Sequence, residues 1–229
     1  MPPPLVSVVL PVYNGAAFLG EALASVRAQD HPAVEIIVID DGSTDGSAAL
    51  ARSFPGVRCE TQPNQGNAAA RNRGIALARG DFVALLDQDD RWRPAKLRRQ
   101  VEALLAHPEA GYSLCHGVLA LEPGMALPAA YNAAAYAQPF PAYVPSALML
   151  RPAAFARVGA FDTSYRAGND SDWFFRALDA GVPLAMVPEV LLEKRVHAAN
   201  QGHDIALMKH DLMRVVRASV LRKRRAPPP

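Results

Sequence analysis

Hydrophobic and polar residues in the first half of the chain alternate between strand-like and helix-like patterns. Two short runs rich in Val and Ile, Leu5 to Leu10 and Val34 to Asp40, are typical of strands buried on both faces of a parallel sheet. Between these runs the apolar residues recur at helical spacing, at Phe18, Leu19, Ala22, Leu23 and Val26. The pattern therefore predicts a strand, helix, strand unit.

The alternation continues as far as residue 106. It predicts, in order, a helix over Ser47 to Phe54, a strand over Val57 to Thr61, a helix over Asn67 to Ala78, a strand over Phe82 to Leu86 and a helix over Pro94 to Ala106. Such repeated alternation predicts an α/β fold, a doubly wound domain whose mixed, mostly parallel central sheet is flanked by helices.

The second half of the chain is less regular. Strands are expected near Tyr112 to Leu119, Tyr143 to Leu150, Leu184 to Val187 and Val190 to Val196, and helices over Ala153 to Val158 and Asp170 to Ala180. The Ala-, Pro- and Tyr-rich stretch from Glu122 to Pro141 predicts a long loop over the site. Residues 204–225 predict an amphipathic helix that docks on the body.

Composition favours a single domain over residues 1–229, because 229 residues with 50% hydrophobic content can bury one large core. Residues 1–4 and 226–229 are expected to be disordered. No run has the length of a membrane span or the pattern of a secretory signal, and Cys59 and Cys115 fit no metal spacing. These features predict a cytoplasmic protein with reduced cysteines, and the excess of Arg over Lys indicates a bacterial source.

Charge is unevenly distributed along the chain. The net charge is +2, but six Arg and Lys residues lie between residues 214 and 225, and their removal leaves 18 basic against 22 acidic residues. Such a basic end is typical of a solvated helix terminus, and weak peripheral contact with anionic lipid is the alternative. No nucleic-acid partner is expected.

Polar clusters follow three of the predicted strands, where ligands of doubly wound sheets bind. The strands end in Pro11-Val12-Tyr13-Asn14, in Asp40-Asp41 and in Asp87-Gln88-Asp89-Asp90. Three clustered carboxylates repel one another, which predicts a compensating cation. Mg²⁺ or Mn²⁺ shared with the phosphates of a substrate is the simplest hypothesis, and an acidic loop before Pro94 is the alternative.

Further candidates lie after the second and third predicted strands. Asp40 or Asp41 could accept hydrogen bonds from a nucleobase imide or a ribose, and a capped helix start is the alternative interpretation. Arg71 lies one turn inside a small-residue helix that follows a turn at Gly66. This arginine could lie along a diphosphate or a uracil edge, or it could be an ordinary surface residue.

Two candidates lie in the second half of the chain. Asp170 and Asp172 open a helix but face different directions, so at most one of them should point into a cleft. A carboxylate there could act as a general base, or it could merely cap the helix. His197, at the end of a strand, could complete a metal shell begun by Asp89, or it could be an ordinary half-buried residue, and His203 is a weaker rival.

In this order the segments resemble the inverting family-two glycosyltransferases of the GT-A fold, over roughly residues 5–200. The matching segments are Val8 to Asn14, Val38 to Asp45, Asn64 to Gly74, Leu86 to Asp90 and Asn169-Asp170. The resemblance implies that residues 5–107 bind a nucleotide-activated sugar, usually linked to UDP, and that residues 108–203 admit an acceptor of unknown identity.

The resemblance also assigns roles to residues in the first half of the chain. It implies that the nucleotide-sugar site contains Pro11, Val12, Tyr13, Asn14, Asp40, Asp41, Gly66, Arg71, Asp87 and Gln88. Within this site the backbone at Val12 and Tyr13, together with Asp40 or Asp41, would hold the nucleobase of the donor.

The same resemblance assigns the metal and the catalytic base. Asp89 and His197 would hold Mn²⁺ or Mg²⁺, with Asp87 as a further possible ligand, and Asp170 would be the base. Asn169 departs from the family pattern, which has Glu at this position, and a slip in register would make Asp172 the base.

Two other functions fit the same pattern. A sugar-phosphate nucleotidyltransferase would need a Gly-rich loop with Arg or Lys after the first strand, where this chain has Tyr13-Asn14-Gly15. A catalytically degenerate nucleotide-sugar-binding protein is the other alternative, and only Asn169 favours it.

Overall fold

A computed structural model of the protein describes residues 2–125, 127, 138–198, 200 and 205–225. The strands are β1 Val6–Val12, β2 Val34–Asp40, β3 Val57–Thr61, β4 Phe82–Leu85, β5 Arg91–Trp92, β6 Tyr112–Leu121, β7 Phe140–Pro141, β8 Met149–Leu150 and β9 Leu184–Val196. The helices are α1 Ala16–Arg27, α2 Ser47–Ser53, α3 Asn67–Leu77, α4 Lys96–Ala106, α5 Pro152–Val158, α6 Asn169–Asp179 and α7 Ile205–Arg225.

These strands form one sheet in the order β3-β2-β1-β4-β8-β6-β9-β5, with β7 paired to β6. The first four strands in this order are parallel, and β6 and β9 are parallel to each other, whereas β8 runs antiparallel to both of its neighbours. All seven residues of β1 are buried, because helices cover both faces of the sheet. The predicted mixed, mostly parallel α/β fold is therefore confirmed.

Two predictions for the second half were wrong in detail. Only Met149 and Leu150 of the predicted strand Tyr143 to Leu150 pair with the sheet, because the preceding residues form a short 3-10 turn, Pro145–Ala147. The two strands predicted between Leu184 and Val196 are one strand. Its pairing with β6 shifts register after Cys115, which pairs with Val187, whereas His116 pairs with Val190. Pro188, which has no backbone N–H to donate, lies in the unpaired part of the strand.

Some predictions concern residues outside the described ranges. The predicted loop from Glu122 to Pro141 falls largely on residues 126 and 128–137, and the predicted disorder at the C-terminus falls on residues 226–229. Among the helices that the structure describes, none has the length and hydropathy needed to cross a membrane.

Lys96 is fully buried at the start of α4. Its Nζ donates a 2.6 Å hydrogen bond to Gln100 Oε1 and lies 3.9 Å from the centroid of the Trp92 ring. Burial lowers the pKa of Lys96 to about 8, because the apolar surroundings disfavour the charged ammonium. The core therefore contains a cation that is close to losing its proton.

Replacing Lys96 by Met should change how the free energy of unfolding depends on pH. Folded Lys96 loses its proton above a pH of about 8, whereas an unfolded lysine keeps its proton up to a pH of about 10.4. Between these values the unfolded chain binds more protons, so rising pH should stabilise the wild type by up to about 3 kcal/mol relative to Lys96→Met. Urea unfolding near neutral pH and at about pH 10 measures the difference. Parallel stability curves for the two proteins would contradict the lowered pKa.

Candidate active site

The carboxyl ends of β1, β2 and β4 meet at one edge of the sheet, because β1 is parallel to both of its neighbours. Val12, the last residue of β1, is paired with Asp40, the last residue of β2. The loops that follow these strands are therefore neighbours. Together with the strand ends, they carry most of the residues predicted to bind the nucleotide-sugar.

Gln88 fixes the loop after β1. Its Oε1 accepts a 2.8 Å hydrogen bond from the backbone N–H of Tyr13, and its Nε2 donates a 3.1 Å hydrogen bond to the Tyr13 carbonyl. A Cβ at Gly15 would lie 2.2 Å from Gln88 Oε1, so any other residue there would displace the Gln88 amide. Gln88 thus uses both ends of its amide to position the loop, while the Tyr13 side chain stays 48% exposed.

Asn14 links the same loop to the loop after β2. It adopts a positive φ of 48°, its N–H donates to Ser43 Oγ at 2.9 Å, and its Oδ1 accepts from the Thr44 N–H at 2.8 Å. These two hydrogen bonds fix the relative position of the two strand ends.

The adjacent carboxylates Asp40 and Asp41 differ in their contacts. Asp41 accepts hydrogen bonds from Gln62 Nε2 and from the backbone N–H groups of Gln65 and Gly66, at 2.7 to 2.9 Å. It therefore holds the turn that leads into α3. Asp40 Oδ2 accepts one long hydrogen bond, 3.3 Å, from the Ser43 N–H, and its buried Oδ1 has no hydrogen-bond partner among the described residues. An unsatisfied buried carboxylate oxygen is costly, which favours Asp40 over Asp41 as the residue that meets a ligand.

Two of the three carboxylates after β4 are neutralised by the protein itself. Asp87 Oδ1 lies 2.7 Å from Arg71 Nη2, and Asp90 Oδ2 lies 3.0 Å from Lys194 Nζ. Arg71 and Lys194 therefore supply part of the compensating positive charge that the sequence predicted, and the metal ion stays a prediction. Only Asp89 has no Lys or Arg ion-pair partner among the described residues.

The environment of Asp90 is a closed polar pocket. Asp90 is fully buried and accepts hydrogen bonds from Ser146 Oγ at 2.5 Å and from the Arg195 N–H at 3.0 Å, besides its ion pair with Lys194. Burial raises the pKa of Asp90 to about 6, and the neighbouring charges of Asp89 and Asp87 act in the same direction. Asp90 therefore serves to join β9 to the end of β4.

Electrostatics at Asp87 and Lys194 favour the charged forms. Burial opposes ionisation of Asp87, but the Arg71 and Lys194 charges lower its pKa. Burial likewise opposes the charge of Lys194, but the carboxylates of Asp90, Asp87 and Asp89 raise its pKa. Both side chains are therefore ionised at neutral pH.

Asp89 and His197 lie together, as the sequence predicted. Asp89 Oδ2 is 2.9 Å from His197 Nε2 and accepts a 3.0 Å hydrogen bond from Asn200 Nδ2. The ring of Phe18 packs on the imidazole with a centroid distance of 4.3 Å. His203, the weaker rival, lies outside the described residues.

This pair fits a shared metal site better than a complete one. Among the described residues, no group of three or more His, Cys, Asp or Glu side chains could hold a metal ion. Mg²⁺ and Mn²⁺ commonly take one or two protein ligands together with substrate phosphates and water. Asp89 and His197 provide an oxygen and a nitrogen ligand at one point, so they suit an ion that a diphosphate also binds.

Arg195 links three separate segments of the chain close to Asp89. Its guanidinium contacts the carboxylates of Glu21 at 2.5 Å and Glu122 at 2.7 Å, and its Nε donates to the Asp89 carbonyl at 2.9 Å. Arg195 therefore binds two carboxylates and links them to the backbone of Asp89.

The N-terminus of α6 carries the acids predicted as the general base. Asp170 is half-buried, and burial raises its pKa, while the nearby Arg71 charge acts in the opposite direction. Asp172 is 3% exposed, and its Oδ2 accepts a 2.7 Å hydrogen bond from Arg176 Nε. The two acids face different directions, as predicted, and the ion pair of Asp172 favours Asp170 as the base.

Arg71 connects this helix to the end of β4. It is 4% exposed, so it is not an ordinary surface arginine. Its Nη2 contacts Asp87, and its Nη1 donates a 2.9 Å hydrogen bond to Asn169 Oδ1. Asn169 Nδ2 in turn donates to Asn67 Oδ1 at 2.9 Å. One arginine therefore joins the loop after β4 to the residue next to Asp170.

Sequence reasoning did not find several residues of this site. Lys194, Ser146, Asn200 and Asn67 all contact candidate residues directly. Only Lys194 carried a signal, because a cation in a strand of a buried sheet needs an opposite charge nearby. Ser146 lay inside a predicted strand, and no spacing connects residue 200 with residue 89.

Solved structures with the same architecture define the class of fold. S. aureus TarS in complex with UDP-GlcNAc matches with a TM-score of 0.78 at 18% identity, over 98% of this chain and 68% of that chain. The mannosyltransferase PcManGT from Pyrobaculum calidifontis, in complex with GDP-Man and Mn²⁺, matches with a TM-score of 0.70 at 23% identity, over 99% and 66%. The fold is that of the GT-A glycosyltransferases.

Sequence comparison identifies the family. Residues 7–117 match the model of Glycosyl transferase family 2. TuaG of Bacillus subtilis, named as a teichuronic acid biosynthesis glycosyltransferase, is 38% identical over 120 residues, which cover 48% of each chain. A glycosyltransferase of Rickettsia typhi is 31% identical over 208 residues, which cover 86% of this chain and 65% of that protein. Residues 7–117 therefore belong to glycosyl transferase family 2, and the chain spans about half to two thirds of the length of these relatives.

Substitution of the two neighbouring carboxylates should separate stability from ligand binding. Asp41→Ala removes three hydrogen bonds to the turn before α3 and should lower the free energy of unfolding by about 1–3 kcal/mol. Asp40→Asn preserves shape and should leave stability nearly unchanged, but it should weaken UDP binding about tenfold or more. Urea unfolding and calorimetric titration with UDP measure the two effects. Loss of stability in Asp40→Asn with normal UDP binding would reverse the assignment.

Proposed function

We propose that the protein transfers a sugar from a nucleoside diphosphate donor, UDP-linked, to an acceptor hydroxyl, with inversion at the anomeric carbon and with the help of a divalent metal. The observation that carries this proposal is the bridge from Asp87 through Arg71 to Asn169. It places a carboxylate of raised pKa, Asp170, next to the strand ends that would hold the donor. In this proposal residues 5–107 bind the donor and residues 108–203 admit the acceptor.

The donor would bind at the ends of β1 and β2. The unsatisfied Asp40 Oδ1 would accept the imide N–H of the base, and the exposed Tyr13 ring would lie against the base. Pro11, Val12 and Asn14 shape this edge, and Gly66 and Asp41 hold its far side. Complexes of the related fold with UDP, UDP-GlcNAc and GDP-Man support a nucleotide-sugar donor.

Asp89 and His197 would hold the metal ion, Mn²⁺ or Mg²⁺. When bound, the ion offsets the negative charge of the diphosphate, both in the donor and as the leaving group departs. The Mn²⁺ complex of PcManGT supports this choice. Asp87 already pairs with Arg71, so its oxygens would meet the sugar or ribose rather than the metal.

Asp170 would act as the general base. The acceptor oxygen forms its bond to the anomeric carbon as the bond from that carbon to the diphosphate oxygen breaks, and the hydroxyl proton passes to the Asp170 carboxylate. The raised pKa of Asp170 makes it a better proton acceptor than an ordinary aspartate. Arg71, which is buried and fixed at both ends of its guanidinium, would stabilise charge on the departing diphosphate.

Formation of pyrophosphate would indicate a nucleotidyltransferase instead, and release of the nucleoside diphosphate indicates sugar transfer. The loop after β1 favours transfer, since Tyr13-Asn14-Gly15 offers no cation to the nucleoside triphosphate that a sugar phosphate would attack in a nucleotidyltransferase. Product analysis therefore tests the reaction class and the nucleobase of the donor together, with a panel of UDP- and GDP-sugars in one set of assays and UTP or GTP plus sugar 1-phosphates in another, each with and without Mn²⁺.

Metal binding should depend on the nucleotide. Two protein ligands bind Mn²⁺ weakly, so the affinity should rise at least tenfold when UDP contributes phosphate oxygens. Asp89→Ala should abolish this gain, because it removes the oxygen ligand. Mn²⁺ titration followed by electron paramagnetic resonance measures the affinity without any turnover. Gln65→Ala, which leaves the carboxylates in place, is the control, and an unchanged gain in Asp89→Ala would remove Asp89 from the metal site.

Replacing Asp170 by Asn should reduce the rate of transfer by about a hundredfold or more, because general-base catalysis typically contributes that much. UDP affinity should change little, since Asp170 lies outside the proposed pocket for the nucleobase. Asp172→Asn is the matched control: it breaks the ion pair with Arg176 and should lower stability while keeping most of the turnover per folded molecule. The opposite ranking of the two variants in kcat would assign the base to Asp172.

A further inference from the structure

Helix α7 has one face on the body of the protein and one apolar face in solvent. Asp211, Val215 and Ser219 are buried, and they recur at the spacing of one helix face. Adjacent to this face lie large apolar side chains that are between 39% and 70% exposed, namely Met208, Leu212, Met213, Val216, Val220 and Leu221. An exposed apolar stripe of this length on one helix indicates a binding surface.

The exposed stripe is surrounded by positive charge. Residues 205–225 contain seven Lys and Arg side chains and one acid, Asp211, which is turned toward the body. Several of these cations are occupied: Arg214 pairs with Asp211, and Arg222 and Lys223 contact Asp179. Three others, Lys209, Arg217 and Arg224, form no ion pair with any residue that the structure describes.

We propose that the outer face of α7 docks on a membrane surface that contains anionic phospholipid. An apolar stripe flanked by Lys and Arg fits the boundary between headgroups and acyl chains, where the stripe enters the apolar layer and the cations meet lipid phosphates. A second copy of the chain is a poorer occupant. Pairing two α7 helices through this face would bring like charges together, since both faces are basic.

Contacts with the body of the protein hold α7 close to the segment that leads to Asp170, the proposed general base. Asp211 Oδ2 accepts a 2.9 Å hydrogen bond from the Ala167 N–H, just before α6, and the Arg214 guanidinium lies 4.3 Å from the centroid of the Tyr165 ring. Membrane contact through α7 would therefore bring the bilayer close to the loop that leads to Asp170. The docking proposal does not rest on the sugar-transfer chemistry, although it would place that chemistry at a membrane surface.

Vesicle sedimentation tests the proposal with the full chain. We expect the protein to sediment with vesicles of equal parts phosphatidylcholine and phosphatidylglycerol, and to remain in solution with pure phosphatidylcholine. Binding should weaken as salt is added, because part of the attraction is electrostatic. Each unpaired cation replaced by Gln should lower the partition coefficient on the order of fivefold.

Matched variants distinguish this face from general surface effects. Leu212→Ser and Val216→Ser together should greatly reduce binding, whereas Leu105→Ser, which alters another exposed Leu on α4, should not. Arg217→Gln should weaken binding, whereas Arg52→Gln, on the exposed surface of α2, should not. Thermal unfolding of each variant establishes that it is folded.

Three results would overturn the proposal. The first is equal binding to neutral and anionic vesicles, and the second is equal effects of the α7 variants and their controls. The third is a wild-type dimer in light scattering that the Leu212 and Val216 changes dissociate, without any vesicle binding. UDP titration of the same variants should be unchanged, so failure of membrane docking is distinguishable from failure of the donor site.

Discussion

The crowding of three carboxylates at the end of β4 constrains the rest of the site. Asp87, Asp89 and Asp90 lie within four residues, so each needs a compensating partner if the segment is to be enclosed. Each finds a different partner: Arg71 from α3, His197 from the segment after β9, and Lys194 from β9 itself. These three contacts therefore bring three distant segments of the chain to one point.

The three pairs differ in what they can do for a ligand. The pair of Asp90 and Lys194 is enclosed, and removing one partner would leave a buried charge unpaired, which costs more stability than the pair contributes. The pair of Asp87 and Arg71 is also desolvated, but Arg71 has a second contact on α6. The pair of Asp89 and His197 consists of two groups that are also good metal ligands. Protein cations thus compensate the charges of Asp87 and Asp90, whereas Asp89 contacts the imidazole of His197 and the amide of Asn200.

Asn169 is matched to this network in a way that a carboxylate would not be. Its carbonyl oxygen accepts from Arg71, and its amide nitrogen donates to Asn67. A Glu or Asp side chain could accept from the arginine but could not donate to Asn67 when ionised. A neutral residue here also adds no negative charge next to Asp170, whose pKa burial already raises. In this structure Asn169 therefore has a hydrogen-bond partner at each end of its amide.

The sequence by itself determined the α/β alternation, since runs such as Val34–Asp40 are apolar on both faces and need a covered parallel sheet. It also brought the candidate site residues to one edge, because the loops after parallel strands share that edge, and it linked Asp89 with His197, which are in contact. It could not distinguish Asp40 from Asp41, or show that Arg71 and Lys194 neutralise two of the acids, because these contacts join residues far apart in the chain. Only the tertiary structure decided which carboxylates already have a cationic partner. Residue type determines which side chains can carry a charge, but packing determines which of them lie next to each other.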